Sequence, residues 1–247
     1  MSDSKYIKIT EPFIKNFLTP LANVVDKAPF FIKDSKISVC CKNPNGELTV
    51  SFSMPIETNI DNETINIPDI PKFKNLLDRS TILDDSDKLY IKNNKVSYTS
   101  SKWRFKYHLL DSSLMKHREL KSNVVDNFQS KLSFILEPQV LNDIVKLKSF
   151  HKNKVEKVYF KIDDDKIYAC LTDETIASTD ELSVLVRDKY QIDGQVLTEN
   201  VIKFDIIKVL SQHRGVPFKI KCSDRAILVQ SKWDDVDIKY LTAKLRQ

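Results

Sequence analysis

Asp163, Asp164 and Asp165 form the one dense carboxylate cluster in this 247-residue chain. Adjacent acids can hold divalent metal ions for displacement at phosphorus, so a metal-dependent nuclease is one candidate chemistry. The same three residues also have the composition of a solvated hairpin turn. A matching segment earlier in the chain carries a plain turn near Asp34, which favours the turn.

A second candidate set is basic. Lys15, Lys72, Lys74, Arg79, Lys146, Lys148, Lys203, Lys208 and Arg214 fall on predicted short helices or at their ends. Acids gather instead in turns and connectors, as at Asp84-Asp85 and Asp234-Asp235. Lysines on short helices, with no aromatics interleaved, suit sequence-independent contact with phosphates rather than base reading. The plain alternative is an ordinary solvated helix face, and the net charge of +5 is modest for a nucleic-acid binder. Trp103 and Trp233 stand at predicted strand starts, where core packing is expected rather than a stacking platform.

Composition removes several classes. The chain has only three glycines, Gly46, Gly194 and Gly215, all isolated. No glycine-rich loop can therefore cradle a nucleotide phosphate, and the nucleophile elbow is missing. No cofactor is expected. Cys40, Cys41, Cys170 and Cys222 form no C-x-x-C pair, and His108, His117, His151 and His213 are scattered, so a zinc site is not expected. Reduced thiols fit a cytoplasmic protein. Apolar runs fall short of the ~18 residues of a membrane span, and the first residues lack a signal peptide's apolar region.

The elements that would position the basic residues occur twice. Ser101-Lys102-Trp103 recurs as Ser231-Lys232-Trp233, and Asp34 to Cys40 aligns with Asp164 to Cys170 at the same offset. Ile91-Lys92 with Ile220-Lys221, and Glu11-Pro12 with Glu137-Pro138, follow at nearly that spacing. Ordered matches so far apart mean two whole domains, not a solenoid of roughly 20–50-residue units. Each repeat reads as strand, helix, four strands, helix, three strands: an α+β unit with a large antiparallel sheet. The expected boundaries are 1–110 for repeat one, 111–129 for a polar connector and 130–247 for repeat two. In the first helix Ile14, Phe17, Leu18 and Leu21 face inward, Asn16 faces out, and Pro20 is expected to kink or end it. Its partner buries Val140, Leu141, Ile144 and Val145, and second helices are expected near 70–79 and 204–213.

This pattern resembles a DNA polymerase sliding clamp of the bacteriophage type, a relative of the eukaryotic and archaeal processivity clamps. The segments that carry the likeness are Tyr6 to Leu18, Ile65 to Leu77 and their counterparts in repeat two. The resemblance implies a duplicated sliding-clamp (DNA clamp) fold and a non-enzymatic role in DNA replication as a viral processivity factor. It implies a homotrimeric ring whose helices line a hole around double-stranded DNA, with DNA polymerase and an ATP-driven clamp loader as partners and no membrane. The ring would close by strand addition: Phe105, Tyr107 and Leu109 of one copy against Leu182, Val184 and Val186 of the next. Partner peptides would dock at a groove between the domains, suggesting Leu48, Val124, Val125, Tyr240 and Leu241. A monomeric polymerase accessory factor of the same double fold, the nuclease and a structural β-rich protein are the alternatives.

Overall fold

The computed structural model describes residues 4–83, 87–115, 123–151, 155–172, 181–188, 190–192 and 199–245, with side chains at 79–83, 123–124, 191–192 and 199 outside that description. Two compact units emerge, residues 1–124 with 232–238, and residues 125–231 with 239–247.

The first unit opens with β1 (Lys5–Lys8), a wide helical turn at Phe13–Leu18 and α1 (Thr19–Ala22). It continues through β2 (Ala28–Lys33), β3 (Lys36–Lys42), β4 (Leu48–Pro55), β5 (Asn62–Ile67) and α2 (Ile70–Leu83), then β6 (Lys88–Lys92), β7 (Lys95–Thr99) and β8 (Arg104–His108). Its strands run in the orders β1-β6-β7-β8 and β4-β3-β2-β5. A short turn, α3 (Asn123–Asp126), follows.

The second unit begins with β9 (Leu132–Leu136), α4 (Pro138–Leu147) and a tight turn at Lys148–Phe150. Then come β10 (Lys157–Asp163), β11 (Lys166–Leu171), β12 (Leu182–Arg187), the two-residue β13 (Gln191–Ile192), β14 (Glu199–Lys203) and α5 (Phe204–Ser211). β15 (Phe218–Cys222), β16 (Ala226–Trp233) and β17 (Val236–Ala243) complete the repeat, although residues 232–238 of the last hairpin count with the first unit. Here the orders are β13-β9-β15-β16-β17 and β12-β11-β10-β14. Apart from β13, this repeats the first unit strand for strand, as the sequence duplication requires.

Turn chemistry explains the hairpins. Asp34-Ser35, Asn93-Asn94 and Asp164-Asp165 all take φ between 46° and 59°. A two-residue turn with φ > 0 at both positions twists with its strands, and after glycine Asp and Asn tolerate that region best. The first turn is thus at Asp34-Ser35, and Asp163 ends β10 rather than entering the loop.

The first helix departs from expectation at two residues. Pro20 does not end it: winding widens at Phe13–Leu18, where Thr19 N–H reaches Ile14 O, five residues back, and continues through Ala22. Thr19 Oγ1 donates to the same carbonyl at 2.8 Å. The wider register removes the need for a donor at Pro20 and delivers it into the first turn of α1. Wide winding also turns Asn16 inward. It is buried, not solvent-facing, and donates through Nδ2 to Asp234 Oδ2 at 2.7 Å within the first unit.

Aromatic rings fill the first core: Phe17 lies 5.7 Å from Phe30 and 6.1 Å from Phe52, both edge-on. In the second, Phe134 and Phe160 are 5.2 Å apart. Trp103 and Trp233 are only part-buried, so the expectation of core packing fails for both. Leu141 and Ile144 of α4 are buried as expected, while Val140 and Val145 are part-exposed at the edges of the stripe.

His213 is 2% exposed and shares a 2.7 Å hydrogen bond with Tyr240 Oη, so burial pushes its pKa down to about 4. The unfolded chain, titrating near 6.5, binds the proton first on acidification. Stability therefore falls as pH drops through 6.5, and this contribution is exhausted near 4. Its full size is about 3 kcal/mol. Urea midpoints from pH 7.5 to 4.5 should fall in the parent chain, and His213→Gln should show a shallower fall whatever its stability at pH 7.5.

Candidate nucleic-acid interface

The short helices hold most of the basic set. Lys15 lies on the solvent side of the wide turn, Lys72 and Lys74 on α2, Lys146 on α4 and Lys208 on α5. Lys148 follows α4, Lys203 precedes α5, and Arg214 is exposed just beyond α5. The side chain of Arg79 lies outside the described residues.

Four of these lysines share one local arrangement. Lys15 is paired with Glu11, Lys74 with Asp78, Lys146 with Asp143 at 3.7 Å and Lys208 with Asp205 at 2.6 Å. Each partner is three or four residues away on the same helical stretch, the spacing at which side chains meet. The hydrogen bond and charge of Lys15 hold the Glu11 carboxyl below its usual range. Such exposed pairs are screened by solvent, contribute little to stability and break readily. The resulting surface is positive but locally balanced. The spacing is visible in the sequence, but the lysines taken alone do not reveal it.

Strand edges form the second feature. β1 is covered on its outer side, with Lys8 N–H donating to Glu57 O at 2.9 Å and Tyr6 N–H to Asn59 Oδ1 at 2.7 Å. Leu110 N–H bonds Asn66 O along β5, Leu245 N–H bonds Val201 O along β14, and β13 flanks β9. By contrast, β8 and β12 each pair on one side only among the described residues. Leu109 N–H donates to Asn94 O and Ser100 N–H to Trp103 O, which fixes the alternation along β8. The odd-numbered residues bond β7, so the backbone groups of Arg104, Lys106 and His108 point to the open side.

The residues expected at the subunit contact lie on β8, just beyond it and on β12, with side chains buried or part-buried. Tyr107 is buried against Phe73, with ring centroids 5.1 Å apart. Its hydroxyl donates to Asp69 O at 2.8 Å and accepts from Asp69 N–H at 2.9 Å, and burial raises its pKa to about 12. Val186 is likewise buried, while Phe105, Leu109, Leu182 and Val184 are part-buried. These apolar side chains face their own cores by strand alternation, so what the edges present is backbone.

Three expected groove residues also prove internal. Leu48, Val125 and Tyr240 are buried, and Tyr240 is wholly enclosed beside His213. Leu241 is part-exposed, as alternation along β17 dictates. The side chain of Val124 lies outside the described residues.

Asp164 and Asp165 are exposed hairpin residues with positive φ, and the described residues include no group of three or more His, Cys, Asp or Glu arranged to hold a metal ion.

Two topologically equivalent units, each with short helices and an antiparallel sheet, also occur together in solved structures. Across 98% of this chain and 99% of the other, the backbone matches the proliferating cellular nuclear antigen (PCNA) of Entamoeba histolytica, with TM-score 0.75 and 15% identity. The fold is that of the PCNA sliding clamps. A structure of A. fulgidus PCNA with the C-terminal region of FEN-1 bound matches at TM-score 0.77 and 12% identity, covering 98% and 99% of the two chains. The PCNA2-PCNA3 complex of Sulfolobus tokodaii matches at 0.71 and 12%, covering 97% and 98%. Neither a protein-family model nor a curated protein matches the sequence.

Proposed function

We propose that this chain is a DNA polymerase processivity factor that assembles as a homotrimeric ring, encircles duplex DNA and tethers a polymerase. The observation that carries this reading is the end-to-end match to PCNA clamps over 98% of the chain. Non-enzymatic action suits it, since encirclement requires no chemistry at the DNA. The bacteriophage-type branch, with function in a host cell's cytoplasm, rests on the sequence segments described above. An ATP-driven loader is part of the proposal, because a closed ring must be opened to admit DNA.

Ring closure is assigned to backbone addition of β8 in one copy to β12 in the next. Both edges are open among the described residues, and the inward-facing Tyr107 keeps β8 pinned against α2. Partner peptides are proposed to dock near the connector and Leu241; a peptide bound to a protein of this fold has a precedent in the C-terminal region of FEN-1 on A. fulgidus PCNA. Duplex DNA is assigned to Lys15, Lys72, Lys74, Lys146, Lys148, Lys203, Lys208 and Arg214, with Arg79 completing the set.

Lys106→Pro removes a donor on the open side of β8 and leaves the bonds to β7 intact. The parent protein should run above the single-chain mass of 28.6 kDa in light scattering, and the variant should run at it. A parent at that mass would favour the monomeric accessory factor; a variant assembled like the parent would remove β8 from the interface.

The lysine pairs predict opposite effects for the two charges. Changing Lys15, Lys74, Lys146 and Lys208 to Ala should weaken DNA retention regardless of sequence and reduce the salt slope by roughly 0.9 for each phosphate no longer neutralised. Neutralising their partners, with Glu11→Gln, Asp78→Asn, Asp143→Asn and Asp205→Asn, should tighten retention. Unchanged salt dependence in both sets would remove these helices from the DNA surface.

A further inference from the structure

In the second unit, the end of α4 and the start of α5 border a pocket of about 340 Å³. Its walls carry Lys148, Lys157, Lys203 and Lys208 against the carboxylates Glu156 and Asp205, so the balance is positive. Phe204 forms its apolar part: Lys148 Nζ lies 4.7 Å and Lys208 Nζ 5.6 Å from the ring centroid. A cation over an aromatic face is favourable, which holds both ammonium groups at the pocket.

Lys157 and Lys203 stand directly opposite each other in the β10–β14 ladder. Directly opposite residues share a face of the sheet, so both side chains reach the pocket together. Nothing in the sequence pattern singles out Lys157.

Phe150 adds the second half of the site. It is 73% exposed, the most exposed large apolar side chain among the described residues. It ends the tight turn that begins at Lys148, two residues further along the chain than that lysine. Ser149 Oγ donates to Lys146 O at 2.7 Å, tying this turn back onto α4. An exposed aromatic beside clustered lysines supplies both requirements for unpaired nucleotides, a stacking face and phosphate neutralisation. Duplex DNA keeps its bases stacked and leaves such a ring without a partner.

We propose that this corner binds single-stranded nucleic acid, with one phosphate in the lysine pocket and the adjoining base stacked on Phe150. This goes beyond the duplex-encircling role: it gives the chain a means of distinguishing an unpaired strand from a paired one.

Fluorescence anisotropy at low salt, with a short labelled oligothymidylate and a blunt duplex of equal length, tests it. Phe150→Ala should weaken oligothymidylate binding about tenfold and leave duplex binding unchanged. Lys157→Ala should reduce the single-strand salt slope by roughly 0.7. Failure of the parent protein to bind oligothymidylate, or an equal effect of Phe150→Ala on both probes, would overturn the proposal. Short linear probes need no closed ring, so failure here leaves the clamp reading standing, and failure of ring assembly leaves this measurement valid.

Discussion

A strand with a neighbour on one side only leaves half its backbone donors and acceptors facing outward, and those groups must find partners. Much of this chain's architecture can be understood as the disposal of such edges. Residues 57–59 cover β1, β13 covers β9, and the residues following β8 and β17 return to bond β5 and β14. β8 and β12 pair on one side only among the described residues. They occupy non-equivalent places in the two repeats, the end of one and the middle of the other. A contact between them across copies is therefore head-to-tail, the kind that makes rings when the rotation closes. Tyr107 is central to this arrangement. By bonding both backbone groups of Asp69, it fixes the edge strand to the start of α2. The helix face and the open edge are thus held in one rigid relation within the first unit.

The same economy shapes the charge. On the proposed clamp reading, a surface that retains DNA by enclosure has no need of strong contacts, and strong ones would impede movement along it. Pairing each of four lysines with a carboxylate on its own helix leaves a cation that a phosphate can recruit at small cost. The lysine pocket beside Phe204 differs in balance: it includes Lys208 of that set with its partner Asp205, but its four lysines outnumber the two acids that line it.

The duplication is legible because it leaves paired marks: Asp34 and Asp164 open equivalent turns, and both Ser-Lys-Trp triplets sit at the junction of the last two strands of their repeats. Strand and helix order follow from periodicity for the same reason. What the pattern conceals depends on geometry. Pro20 reads as a breaker until the five-residue winding at Thr19 supplies a register that accommodates it. Asn16 reads as surface until that winding turns it toward Asp234. Tyr107, Val186 and Tyr240 have the composition of contact residues, yet alternation sends each inward. Phe150 carries no signal: it extends an apolar stripe by one turn, and its exposure emerges only once the helix end is placed.

Topological retention on DNA is the property on which the clamp reading turns. The protein, loaded onto a nicked circular plasmid and passed through a sizing column in high salt, should stay with the circle. The same complex should lose its protein when the plasmid is cut once with a restriction enzyme before the column. Equal retention on circular and linear DNA, or loss from both at the same salt concentration, would contradict a ring and leave a surface-binding protein in its place.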